Sequence, residues 1–182
     1  MRRVEHSHDV RFVTFSTYLR QPLLSHPKIM DRFADELALS RQRHRFHLYA
    51  WVVMPEHVHL LLWPLIPRFP LSIVLRDLKR EVAKAVIARW REIDAPILKR
   101  LIASDGSTRF WQRGGGYDRN TRSEEEFVEK MRYIHQNPVK RGLVKHATDW
   151  KWSSVRWYSG DRSSPVELDP LPPKRPIQDE GA

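Results

Sequence analysis

His57 and His59 flank a single valine at the start of the apolar run 57 to 63 (HVHLLLW). On a strand, side chains at i and i+2 point to one face about 7 Å apart along the backbone. Both imidazoles can then converge on one divalent ion, while Val58, Leu60 and Leu62 turn the other way into a core. The same spacing also fits a pair of hydrogen-bonded histidines at a strand end, a role that needs no metal. Two polar rings at the mouth of an otherwise apolar strand are nevertheless hard to account for by packing, because burying polar groups without partners is costly.

Tyr133 and Asn137 stand four residues apart in a segment of helical periodicity, which puts a phenol and a neutral amide on one helix face. Phe127, Met131 and Ile134 occupy the adjacent face and would anchor the helix. A boundary tyrosine followed by an asparagine at the helix end is the plainer alternative. Taken with the histidines, the set suits phosphodiester chemistry. A bound metal would polarise a non-bridging phosphate oxygen and steady the charge growing on the leaving 3′ oxygen. The phenol would attack in line, leaving a 5′-phosphotyrosine ester that conserves bond energy for a later joining step. A phenol keeps its proton until about pH 10, so the metal or a neighbour such as Lys130, one turn back, has to assist its loss.

These residues need a scaffold, and the pattern supplies one. Residues 11 to 19 (RFVTFSTYL) read as a first strand. Ser25 and Pro27 open a helix carrying Ile29, Met30, Phe33, Ala34 and Leu37. Residues 46 to 54 and 57 to 63 form two apolar runs around Pro55 and Glu56, which predicts a hairpin. Leu71, Val74, Leu75, Leu78, Val82, Ala85 and Val86 make one helical stripe, and Arg76, Lys79, Arg80 and Lys84 make the rest of that helix basic. Residues 109 to 112 (RFWQ) are predicted as a fourth strand, followed by the flexible Gly114, Gly115 and Gly116. Ser123 and Glu126 fit a capping box opening a third helix, which Pro138 ends after Asn137. Residues 159 to 182 are Pro-rich and charged and predict a loose tail beyond a domain spanning 1 to 158. The order of elements fits an α+β, ferredoxin-like fold: an antiparallel sheet with helices on one face, plus an appended tyrosine-bearing helix.

At 182 residues the chain suffices for one domain with a proper core. Its 32 Lys and Arg against 22 Asp and Glu give a formal net charge of +10, which suits a polyanion, although a solvated basic surface gives the same balance. The absence of cysteine excludes disulfides, thiolate metal sites and a cysteine nucleophile. No segment approaches the roughly 20 apolar residues of a membrane span and the start lacks a signal-peptide pattern, so the expected location is cytoplasmic, with no membrane partner.

Four stretches together resemble the REP-associated tyrosine transposases, relatives of the single-tyrosine HUH transposases of small insertion sequences. They are AWVVMPEHVHLLLWP (50 to 64), FWQRGGGYDRNTR (110 to 122), YIHQNPVKRGLV (133 to 144) and WKWSS (150 to 154). The resemblance implies an HUH nuclease fold, a Mg or Mn ion on His57 and His59, Tyr133 as nucleophile and Asn137 as third ligand, where related transposases often carry glutamine. It implies a metal-dependent single-stranded DNA endonuclease and strand transferase acting on hairpins of repetitive extragenic palindromes beside a short guide tetranucleotide. It favours a monomer, with the homodimer of the insertion-sequence relatives as the alternative. The glycine run at 114 to 116 departs from the family pattern.

Phosphate contacts are expected from Arg76, Lys79, Arg80, Lys84, Arg113, Arg119, Arg122, Lys140 and Arg141, with Trp111 or Tyr117 stacking on bases or packing in the core. His135 would orient a ligand or cap its helix. A non-catalytic DNA-hairpin-binding protein on the same fold is the competing reading. A histidine-triad hydrolase ranks lower, because position 61, where a third alternating histidine would stand, is Leu61.

Overall fold

A computed structural model describes residues 10–65, 69–114 and 116–172. The elements follow in the order β1 (Arg11–Ser16), α1 (Pro27–His44), β2 (Phe46–Val53), β3 (His57–Pro64), α2 (Leu71–Glu92), β4 (Tyr117–Asn120), α3 (Glu124–Lys140) and the short α4 (Val155–Tyr158). The four strands form one antiparallel sheet in the order β2-β3-β1-β4. Helices α1 and α2 cover one face, where Val13, Phe15, Val58, Leu60 and Leu62 meet Met30, Phe33, Leu37, Leu78 and Val82. The opposite face carries Phe12, Tyr49, Val52 and Leu61 and is covered by Phe127 and Ile134 of α3. This is the expected ferredoxin-like arrangement with its appended helix. No helix among the described residues is long and apolar enough to cross a membrane.

Strand β3 is central and buried from His57 to Leu62, so its period of two sends Val58, Leu60 and Leu62 toward α1 and α2 and His57, His59 and Leu61 toward α3. Each buried leucine contributes roughly 1.5 to 3 kcal/mol, which fixes the register and with it the face on which the imidazoles emerge. A bulge at Tyr49 breaks the pairing of β2 with β3 between Leu48 and Ala50, and places Tyr49 and Ala50 together on the α3 face.

Four local expectations are corrected. The cap of α1 is His26, whose side chain accepts from the Lys28 N–H, and not Ser25. Helix α3 runs through Pro138 to Lys140, because bonds from Arg141 N to Asn137 O and from Leu143 N to Pro138 O close the helix beyond the proline. The fourth strand is Tyr117–Asn120 and not 109 to 112. Phe110 is buried and Trp111 makes one isolated bridge to Thr17, while its indole donates to Lys79 O, so these rings serve the α1 and α2 layer. Polar β4 is pinned by Arg11, which donates to both oxygens of Asp118 at 2.9 and 2.6 Å. Gly116 enters β4 at φ +67°, and a Cβ there would lie 1.9 Å from Thr14 O, so glycine is required. Gly115 lies outside the described residues.

The expected loose tail is the fourth correction. Val166 and Leu168 are buried, Asp169 accepts from Arg41 and from Leu48 N–H, and its own N–H donates to Leu48 O. Further along the open edge of β2, Trp152 O accepts from Val53 N–H and Ser154 N–H donates to Trp51 O. The segment after α3 therefore occupies an edge that would otherwise display unpaired peptide groups. Residues 173 to 182 lie outside the described residues.

Candidate active site

Pairing of Thr14 with His59 and Ser16 with His57 sets both imidazoles beside the alternate side chains of β1. His57 and His59 are almost fully buried and their ring centroids are 4.7 Å apart. His57 is held through one ring nitrogen and His59 through both. His57 Nδ1 donates to Glu56 Oε1 at 3.1 Å, which leaves Nε2 unprotonated in the neutral ring. His59 Nε2 faces the Asn137 side-chain nitrogen at 3.2 Å; since that nitrogen can only donate, the proton of His59 is assigned to Nδ1, which bonds Thr14 Oγ1 at 2.7 Å.

Burial, chiefly, keeps both rings neutral. It lowers His57 against the opposing pull of Glu56, with Arg20 and Arg141 adding to the lowering. It brings His59 down to about 3, helped by the positive fields of His57 and Arg20. Neutral imidazoles are the form that binds metal. Asn137 is buried by the packing of α3 on the sheet, and its Oδ1 has no hydrogen-bond partner among the described residues. Such an orphaned carbonyl oxygen is expensive in a folded protein unless it serves as a ligand. Two neutral imidazoles beside that oxygen are a donor set that a divalent ion could use, although among the described residues no group of three His or carboxylate side chains converges.

Tyr133 lies one turn before Asn137 on α3, 39% exposed, with its ring centroid 5.2 Å from that of His59. Phe12 is the hub of the wall around it, stacking on His59 at 5.5 Å and meeting Tyr133 and Tyr117 edge-on. The open cleft so formed has a volume of about 370 Å³ and is lined also by Arg20, Lys130 and Arg141. Glu56 Oε1 accepts from Arg141 at 2.8 Å and from Arg20 at 3.4 Å as well as from His57, and so ties the end of α3 to the histidine strand. Lys130 pairs with Glu129 and lies over Phe12, and Lys140 lies 5.4 Å over the Tyr133 ring. His135 points the other way, to Ser154 Oγ at 2.9 Å, and its burial pulls its pKa down to about 4.

The structure thus gathers His57, His59, Lys130, Tyr133, Asn137 and Arg141 at one cleft, with Lys140 at its tyrosine. It does not bring the basic residues of α2 there. Arg76 and Arg80 are tied to Asp77 and Glu81, and Lys79 packs over Phe15, all on the layer across the sheet. Arg113 pairs with Asp105 and Arg119 with Glu126, while Arg122 is exposed at the start of α3. Phe12, Thr14, Arg20 and Glu56 were not singled out from the sequence. Only the register of β1 on β3 makes the first two visible, whereas Glu56 had a signal in its place directly before the His-x-His pair.

A ferredoxin-like sheet presenting paired histidines to a helix-borne tyrosine defines a class, and residues 5–137 match the model of the family described as Transposase IS200 like. The chain belongs to the IS200-like transposase family. Within that class, the REP-associated tyrosine transposase of Escherichia coli (strain K12) is 31% identical over 109 residues, 60% of this chain and 54% of that protein. The chain matches about half the length of that relative. A relative from Haemophilus influenzae is 25% identical over 125 residues, 69% of this chain and 68% of its own length. A solved structure of a REP-associated tyrosine transposase bound to a REP hairpin shares the fold, with a TM-score of 0.67, 24% identity and coverage of 98% of this chain and 93% of that one.

Proposed function

We propose that this protein is a metal-dependent single-strand DNA endonuclease and strand transferase that acts on hairpin-bearing DNA of the repetitive extragenic palindrome type, with Tyr133 as nucleophile. One observation carries the reading: a partly exposed phenol, two buried neutral imidazoles and an amide oxygen without a partner meet at one open cleft. Family membership and the likeness to REP-associated transposases support the choice of DNA and of a hairpin substrate.

His57, His59 and Asn137 would hold a Mg or Mn ion, which when bound supplies Lewis-acid polarisation of a non-bridging phosphate oxygen. Glu56 and Thr14 keep the two rings from rotating and fix the nitrogen each offers. Tyr133 Oη forms a bond to phosphorus as the bond to the 3′ oxygen breaks. The phenolic proton leaves to solvent through the open cleft and the departing 3′ oxygen takes one up, so the products are a 5′-phosphotyrosine ester and a free 3′ hydroxyl. Lys130, Lys140 and Arg141 add positive charge where the phenolate and phosphate sit. Attack by another 3′ hydroxyl on the ester reverses the step and joins the strands.

Incubating the protein with a hairpin-bearing single strand from a repetitive extragenic palindrome and Mn tests the proposal. A covalent protein–DNA species is expected, lost in Tyr133→Phe with DNA binding retained. Tight hairpin binding by the wild type with no adduct under any divalent ion would leave a binding protein without cleavage.

A further inference from the structure

Beside the cleft lies a second cavity, a groove of about 470 Å³ between the loop after β1 and the C-terminal end of α2. Its floor is apolar, built from Leu23, Ile29, Ile93, Ile97 and Trp90, whose indole is held in place by Phe110 at 5.7 Å. Its charged lining residues, Lys28, Arg89 and Arg100, are all cationic, and no carboxylate lines it. Another cavity, beside α1 and the Trp152 segment, is lined by both signs, with Asp31, Asp35 and Asp161 beside Lys151 and Arg156. Arg89 pairs with Glu92, and the pair is exposed on both sides, so phosphate can readily replace it.

The groove and the cleft share a wall. Arg20 lines the cleft and Gln21 lines the groove, so adjacent residues, about 3.8 Å apart at Cα, face two cavities. Leu19, next to Arg20 in the same turn, is 65% exposed, and both Leu19 and Arg20 are held at φ +51°, a conformation that non-glycine residues rarely keep. A chain passing over Arg20 and Gln21 leaves one cavity and enters the other.

Resting on the reading of the cleft as a single-strand DNA site, we propose that the groove binds the unpaired strand continuing out of the cleft past Arg20 and Gln21. Bases seat against Trp90 and the apolar floor, and phosphates meet Lys28, Arg89 and Arg100. Single-strand sites combine a cationic track with an aromatic platform in this way, without reading sequence. Continuity with the cleft selects the strand already held there over an acidic peptide or a second copy of this chain.

The test measures binding of fluorescein-labelled oligothymidylates of increasing length to the full chain, without metal. Affinity is expected to rise at least tenfold once the oligomer spans both cavities. The exposed double substitution Lys28→Glu with Arg100→Glu should abolish that rise, leave the shortest oligomers unaffected and lower the salt slope for long ones by about 1.4, at roughly 0.7 per phosphate contact. Photocrosslinking of an iodinated pyrimidine at the far end should label Trp90 in the wild-type protein. Equal binding of long oligomers by wild type and double variant overturns the proposal, as does displacement of an acidic peptide or loss of a dimer by that variant with no change in DNA binding. The Tyr133→Phe variant should keep the length-dependent step. A length step without any covalent adduct in the wild type counts against the cleavage reading alone, and an adduct without the length step counts against the groove alone.

Discussion

The side-chain nitrogen of Asn137 lies 3.2 Å from Nε2 of His59, while the oxygen of the same amide is buried without a partner. One hydrogen bond thus positions a group whose other half is unused. Turning the amide over would present its oxygen beside the imidazole nitrogen that the proposed ion would use. Replacing Asn137 by Ala should weaken Mn binding on the order of 10- to 100-fold, and Asn137→Asp should tighten it, both read by titration calorimetry. Equal affinity in all three proteins would remove Asn137 from the ligand set.

Glu56 is the hinge between ligand and helix, since its Oε1 receives His57, Arg141 and Arg20. Glu56→Gln keeps the shape but replaces a carboxylate by an amide that accepts more weakly. The rate of covalent adduct formation should fall about 10- to 100-fold, with DNA affinity unchanged or raised as Arg141 and Arg20 are freed for phosphate. An unaltered adduct rate would make the contact incidental.

Acid should unfold the protein through its buried histidines. An unfolded histidine titrates near 6.5, whereas His135 is held down to about 4 and His59 to about 3, so on acidification the unfolded chain takes up protons first. Stability is therefore complete above about pH 6.5 and declines as the pH falls toward those folded values. Asp169, whose carboxyl is held below its ordinary range by Arg41 and the Leu48 N–H despite the opposing effect of its burial, extends the loss to lower pH. Urea midpoints should drop steadily between about pH 6.5 and pH 4, less steeply in His135→Gln. A flat profile for the wild type would contradict the burial of these rings.

Truncation after residue 158 should cost stability and solubility together. It removes Val166 and Leu168, worth roughly 1.5 to 3 kcal/mol each, and exposes the β2 peptide groups now paired with Asp169. Asp169→Ala should give part of the loss in urea unfolding. A truncated chain as stable and as soluble as the full one would show the segment to be dispensable.

The histidine strand was legible because Val58 and Leu60 alternate with His57 and His59 at the head of an apolar run, and the tyrosine helix because Ser123, Phe127 and Ile134 mark its cap and its face. Strand β4 was not, since Tyr117, Asp118, Arg119 and Asn120 hold their place through an ion pair to Arg11 more than a hundred residues away. Rings at 110 and 111 imitated a strand while serving the helix layer. Composition alone made the tail look loose, because a segment that buries two aliphatic side chains and one carboxylate leaves no periodic signal. At the site, the type and spacing of His57, His59, Tyr133 and Asn137 were visible locally, but Phe12, Thr14 and Arg20 acquire meaning only from tertiary pairing. The basic stripe of α2 was equally visible, and it lies across the sheet from the cleft.

The hydroxyl of Ser154 accepts from the Trp51 N–H on β2 and bonds His135 on the helix that carries Tyr133 and Asn137. A single atom thus serves as both seam and rivet. Any substitution that loosens it disturbs the helix that carries Tyr133 and unseals the sheet at once, so the geometry of the cleft and protection against aggregation bear on the same residue and cannot be traded against each other there.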